Sequence, residues 1–265
     1  MLTTIKHIIN FWWKIPTIGF SSSQNEYQCD GDIEYTSNVV NNNAGIPNGY
    51  VIGNKTNPVK SYDKWVILFP GSFNPVHYGH IELAENIVRC YRADELWMMP
   101  TPQNPLKNKS SYVNKWDRFI MIEKVVDRFI NINISSRKLY NRIKPNYFEF
   151  TQKAPFYTAK TLKTLKKLYP NYYFTLLIGS DNLAIFDKWK HWKWIYDNVH
   201  IVTFIRSSNE DVSELQNKYP KVDFFKPVIF YPISSTQIRN EIRENNYDHV
   251  DCSIVDFIKQ KKLYQ

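Results

Sequence analysis

From Trp65 onward, short apolar runs alternate with amphipathic stretches, and this alternation predicts the fold class. Trp65-Val-Ile-Leu-Phe69 reads as a buried strand, followed by a helix over residues 77–91 with Ile81, Ala84, Val88 and Tyr91 on one face. A strand at Leu96–Met99, a helix around Lys115–Phe129 and a strand at Ile132–Ser135 come next. The pattern continues with a helix at Ala159–Leu168, a strand at Tyr173–Ile178, helical segments to about Tyr196 and a strand at His200–Ile205. A short strand near Val228–Tyr231 and helices at about 235–244 and 253–261 close the chain. Strands and helices in alternation imply an α/β fold, a Rossmann-like doubly wound parallel sheet with helices on both faces. Ligands of such sheets bind at the carboxyl ends of the strands, where the strand order reverses.

Residues 1–62 do not share this pattern. Ser21-Ser22-Ser23, Asn41-Asn42-Asn43 and a Gly/Pro/Asn-rich stretch from Ala44 to Pro58 are loop and low-complexity signals. Two regions follow: an N-terminal extension, 1–62, of unassigned role, and a catalytic-type domain, 63–265. The apolar, acid-poor start resembles an import leader, but Lys14 and Pro16 interrupt it, so a cytoplasmic location is favoured over organelle import. No apolar run reaches the ~20 residues that cross a bilayer, so no membrane partner is indicated.

The chain carries a formal net charge of +9, and its basic and acidic residues balance within the extension, so the excess belongs to the domain. Such a surface suits nucleic acid or small phosphorylated substrates, and charge alone does not separate the two. Cys29, Cys90 and Cys252 form no CxxC pair, which argues against a disulfide framework or a cysteine metal site. The sequence leaves the oligomeric state open, self-association included.

The candidate chemistry lies at strand ends. Gly71-Ser-Phe-Asn-Pro-Val-His-Tyr-Gly-His80 leaves the first strand and opens the first helix. The unpaired N–H groups of that turn, Gly71, Ser72 and Phe73 among them, form an anion site reinforced by the helix dipole. His77 and His80, three residues apart, share one helical face and can donate to phosphoryl oxygens. A zinc site is disfavoured because no third ligand is supplied. Near the other end, Pro232-Ile-Ser-Ser-Thr-Gln-Ile-Arg239 has capping-box spacing from Ser234 to Gln237. Ser234, Ser235 and Thr236 form a second anion cradle, and Arg239 can fork onto a polyphosphate.

These segments resemble the signatures of the nucleotidylyltransferase superfamily, GxFxPxHxGH and ISSTxxR, and the chain is similar to the bacterial-type nicotinate (nicotinamide) mononucleotide adenylyltransferases. Asn74 stands where that family commonly has Asp. Tyr157, Thr158, Thr161 and Leu162 match its SYTxxTL stretch, with Phe156 in place of Ser. Gly179 and Asp181 match its GxDxL, and Phe186-Asp-Lys-Trp189 its tryptophan motif. Lys107 of Asn104-Pro-Leu-Lys107 maps to a PPHK-like loop, Arg118 and Met121 to RxxM, and Arg206 to a family Arg. The resemblance covers about residues 64 to 264.

The resemblance implies adenylyl transfer from ATP to nicotinate mononucleotide, yielding nicotinate adenine dinucleotide and pyrophosphate. It implies His77, His80 and Arg239 as catalytic residues, and Gly71, Ser72, Phe73, Lys107, Ser234, Ser235 and Thr236 as phosphate-binding. Tyr157, Thr158 and Trp189 would hold the nicotinate, and Gly179 and Asp181 the adenosine ribose. Mg²⁺ bound with ATP is the implied cofactor, with no protein side chain as its ligand. ATP and nicotinate mononucleotide are the partners. Nicotinamide mononucleotide, phosphopantetheine as acceptor, and a non-catalytic nucleic-acid-binding role stand as alternatives. No basic or aromatic stripe separate from the motifs supports the last, so nucleic acid is not an expected partner.

Overall fold

A computed structural model of the chain describes residues 49–52, 62–103, 113–133, 137–227 and 233–265. All of them fall within the unit Val40–Gln265. The strands are β1 (Gly49–Ile52), β2 (Lys64–Gly71), β3 (Glu95–Pro100), β4 (Ile143–Pro145), β5 (Tyr172–Gly179), β6 (His200–Phe204) and β7 (Asp223–Pro227). The helices are α1 (Tyr78–Tyr91), α2 (Lys115–Ile132), α3 (Arg137–Tyr140), α4 (Thr158–Leu168), α5 (Ser180–Ala184), α6 (Trp192–Asn198), α7 (Ser213–Lys218), α8 (Ser235–Arg243) and α9 (Cys252–Gln260). Short 3₁₀ turns occupy Phe148–Thr151 and Phe186–Lys188.

The sheet runs β1-β7-β6-β5-β2-β3-β4. Every pairing from β7 through β4 is parallel, and β1 alone pairs antiparallel, on the outer edge of β7. From β2 the chain winds outward to β3 and β4, then returns to lay β5 on the other side of β2. The strand order therefore reverses between β2 and β5, the Rossmann-type switch point at which ligands are held.

Strand side chains alternate between two cores, as burial on both faces requires. Ile67 and Phe69 of β2 pack with Ile81, Ala84 and Val88 of α1, Met121 and Val125 of α2, Ile238 of α8 and Ile254 of α9. Val66 and Leu68 pack on the opposite face with Leu162 and Leu165 of α4, Ile195 of α6 and Tyr219. The doubly wound layering read from the sequence is thus present.

One expectation needs correction. Of the strand expected at Ile132–Ser135, the two described residues belong to a helix end: α2 runs on through Ile132, which is 55% exposed, Asn133 is its C-cap, and the sheet takes Ile143–Pro145 instead. The last strand among the described residues is Asp223–Pro227, and the expected Val228–Tyr231 strand lies outside them. Gly49–Ile52 lies in the segment read as extension and adds the antiparallel edge strand.

Candidate active site

The carboxyl ends of β2 and β5 open into a cleft of about 660 Å³. Gly71, Ser72, Phe73, His77 and His80 line it from the β2–α1 turn, and Gly179 and Asp181 from the end of β5. Tyr157, Thr158 and Trp189 line it from the segment entering α4 and from the turn after α5, and Ser234, Ser235, Thr236 and Arg239 from the start of α8. Every candidate residue named from the sequence reaches this cavity except Lys107, which lies outside the described residues.

The β2–α1 turn is tightly shaped. Phe73 takes a positive φ of 44°, and its buried ring packs edge-on to Phe69 and His80. A Cβ on Gly71 would sit 2.9 Å from that ring, so the close approach of Phe73 already requires glycine here. His77 is the N-cap of α1, and its backbone N–H donates to Nδ1 of His80 at 3.2 Å. Because Nδ1 of His80 is the acceptor, the ring proton sits on Nε2, which makes Nε2 a donor. The two imidazole rings lie 3.7 Å apart.

His77 is buried, and Nδ1 of its ring has no hydrogen-bond partner among the described residues. Burial, followed by the positive charges of Arg206 and His249, pulls its pKa down to about 3. The ring is therefore neutral at physiological pH. A buried, unsatisfied ring nitrogen beside a helix N-terminus is costly unless a ligand completes it.

Two clamps brace the cradles. Arg239 donates through Nη1 to the Asn74 carbonyl at 2.9 Å and through Nη2 to the Thr236 hydroxyl at 3.1 Å. The Ser235 hydroxyl donates to the Pro75 carbonyl at 3.0 Å, so its proton is committed to joining α8 to the first turn. Ser234 caps α8 by accepting from the Gln237 N–H at 3.2 Å, as its spacing predicted. On the far side, the fully buried guanidinium of Arg118 donates to the carbonyls of Ser72 (2.6 Å), Pro102 (3.0 Å) and Val113 (3.2 Å). One side chain thereby fastens the β2–α1 turn, the segment after β3 and the entry to α2. The Tyr264 hydroxyl donates to Oδ1 of Asn74 at 3.1 Å, which ties the chain's end to the same turn.

At the β5 edge, Asp181 pairs with Arg206, Nε to Oδ1 at 3.0 Å, with both side chains more than half exposed. Gly179 leaves room for the pair as it stands: a Cβ there would meet Oδ1 of Asp181 at 2.3 Å and Nε of Arg206 at 2.8 Å, so these exposed side chains would have to move. Trp189 packs on Phe186 and also lines the cleft. Trp192, by contrast, packs against Phe186 and Tyr219 in the second core.

Residues 68–241 match the cytidylyltransferase-like family. A Flavobacterium johnsoniae protein named "Probable nicotinate-nucleotide adenylyltransferase" is 36% identical over 177 residues, which is 67% of this chain and 86% of that one. A Christiangramia forsetii protein of the same name is 33% identical over 201 residues, 75% of this chain and 97% of that one.

The chain belongs to the nicotinate-nucleotide adenylyltransferase family.

Among solved structures, the Plasmodium falciparum nicotinic acid mononucleotide adenylyltransferase complexed with NaAD shares the fold. It superposes with a TM-score of 0.64 at 21% identity, over 76% of this chain and 97% of that one.

The sequence left one residue of this family member's cleft unremarked. Glu149, in the 3₁₀ turn after β4, lines the cavity and is 2% exposed. Oε1 accepts from the Thr161 hydroxyl at 2.9 Å, the Thr101 hydroxyl stands near the carboxyl group, and Oε2 is buried with no close hydrogen-bond partner among the described residues. Burial pushes its pKa up to about 7, against the opposing hydroxyls of Thr161 and Thr101. A single carboxylate between two phenylalanines carries no sequence signal; its burial against α4 reveals it.

Proposed function

We infer that this chain transfers the adenylyl group of ATP to nicotinate mononucleotide, releasing pyrophosphate and forming the dinucleotide, a step of NAD biosynthesis. The observation that carries the reading is the convergence on one switch-point cleft of the His77/His80 turn and the Ser234–Arg239 helix start, clamped together through Asn74 and Pro75. The relatives named above support the acceptor, as do Thr158 and Trp189 on the remaining wall.

The chemistry needs no covalent enzyme intermediate. A phosphate oxygen of the mononucleotide attacks the α-phosphorus of ATP, a P–O bond forms, and the bond to the pyrophosphate oxygen breaks. The nucleophile is already an anion, so no general base is needed. Catalysis is then alignment plus stabilisation of charge. The N–H groups of Gly71, Ser72 and Phe73 receive the mononucleotide phosphate. His80 donates from Nε2 to the α-phosphoryl oxygens, and His77 stands beside it as a neutral partner. Arg239 and the first-turn N–H groups of α8 take the β,γ-phosphates, a rearrangement in which Arg239 exchanges the Asn74 carbonyl for phosphate oxygens. Asp181 and Gly179 hold the adenosine ribose, and Tyr157, Thr158 and Trp189 the pyridine. An indole face suits an electron-poor pyridinium.

Mg²⁺ bound with ATP would supply positive charge that offsets the charge of the leaving pyrophosphate, with no side chain of this chain assigned as its ligand. The net charge of +9 then serves as a funnel for two anionic substrates.

Separate incubations of the full chain with ATP and nicotinate or nicotinamide mononucleotide, followed by chromatography of the dinucleotide, test the reading. Efficient product from nicotinate mononucleotide is expected. Turnover confined to the amide would replace the acceptor.

A further inference from the structure

Taking the pyridine site as proposed above, we propose that the charge state of Glu149 sets the choice between a pyridine carboxylate and a pyridine carboxamide. Neutral Glu149 admits the carboxylate. Ionised Glu149 repels it and leaves the uncharged carboxamide unaffected.

Geometry carries the argument. Glu149 lines the same cleft as Phe156, Tyr157, Thr158 and Trp189, the wall assigned to the pyridine. Its Oε1 is fixed by Thr161, which lies three residues after Thr158 and so on the same face of α4. Its Oε2 is buried with no close hydrogen-bond partner among the described residues, a position that penalises the ionised form. A carboxylate substrate brought to this wall meets a second carboxyl group in a desolvated setting. Two like charges there cannot both be accommodated cheaply, and the protein group is the one that takes up the proton.

The surroundings leave that charge uncompensated among the described residues. Thr161 of α4 and Thr101 after β3 offer hydroxyls, and Tyr157 a phenol. Lys115 of α2 turns its ammonium to the carbonyl and ring of Phe150, and Lys160 of α4 turns its own to the carbonyl of Lys153. Elsewhere in the cleft stand His77, His80, Arg239 and the Asp181–Arg206 pair, with Lys188 and Lys190 beside Trp189. The groups that face the phosphates meet both mononucleotides alike, as they do the substrate phosphate itself, whose second ionisation lies near ~6. Their effects cancel in a ratio of the two substrates. Glu149, titrating at about 7, does not cancel.

The test is the ratio of kcat/KM for nicotinate mononucleotide to that for nicotinamide mononucleotide, measured from about pH 6 to about pH 8. In the wild type the ratio should fall by about fivefold to about tenfold, tenfold being the limit for one group titrating at about 7. In E149Q, confirmed as folded by its melting curve, the ratio should be flat. A flat wild-type ratio overturns the proposal, and so does an unchanged slope in E149Q. Calorimetry in buffers of differing ionisation enthalpy needs no variant. At about pH 7.5 nicotinate mononucleotide should take up more protons on binding than its amide, and equal uptake overturns the proposal. If neither mononucleotide yields dinucleotide, the reading of the site fails rather than this inference alone.

Discussion

The backbone N–H of His77 donates to Nδ1 of His80 at 3.2 Å, with the two rings 3.7 Å apart. That bond leaves the His80 proton on Nε2, where it can meet charge developing on the α-phosphoryl group. His80→Ala is therefore expected to lower kcat by about 10²-fold or more while the melting temperature changes little. Near wild-type turnover in a folded H80A would remove His80 from the catalytic machinery.

Arg118 holds three carbonyls from three separate segments with a guanidinium that has no exposure. Lysine has one ammonium and cannot reproduce that fork. R118K is expected to lose about 3 kcal/mol or more of stability by denaturant unfolding and to raise KM for the mononucleotide, since the Ser72 turn is released. A variant as stable as wild type with unchanged KM would show that the clamp positions nothing.

Glu149 gives a pH signature in stability. Its folded pKa of about 7 lies above the model-peptide value of 4.5, so the fold favours the neutral acid. That contribution is fully present below about pH 4.5 and is lost as pH rises through about 7. E149Q, which cannot ionise, should match wild type near the acid end and exceed it by about 2–3 kcal/mol at about pH 8, by urea melts across pH. A stability gap that does not change with pH would mean that Glu149 is not buried as an acid.

Gly179 admits the Asp181–Arg206 pair at the β5 edge, and a methyl group there would lie 2.3 Å from the Asp181 carboxylate. G179A should displace both side chains, which are exposed and able to move, so the fold should tolerate it. The expected outcome is a raised KM for ATP of roughly tenfold with a change in stability under about 1 kcal/mol. An unchanged KM would separate this pair from ribose binding.

Much of this site was legible because its chemistry lies in contiguous segments. Gly71–His80 and Ser234–Arg239 each combine a turn signal with a helix start, and periodicity in β2, β5 and α1 located them at strand ends. The sheet's margins were not legible. Ile143–Pro145 is three residues long and ends in proline, whereas Ile130 and Ile132, at strand-like spacing, belong to the last turn of α2. Gly49–Ile52 lies in a Gly/Pro/Asn-rich stretch and joins the sheet through backbone pairing to β7. Glu149 and the three carbonyls held by Arg118 depend on contacts between distant segments, which no spacing reveals.

Direct transfer from ATP to nicotinate mononucleotide is tested most directly by following pyrophosphate release and adenylate label together, using the full chain with Mg²⁺ and α-labelled ATP. The cleft described here should release pyrophosphate only when nicotinate mononucleotide is present, with one dinucleotide formed per pyrophosphate and no label left on the protein. Pyrophosphate release from ATP alone, label retained on the chain, or no release with the mononucleotide would contradict it.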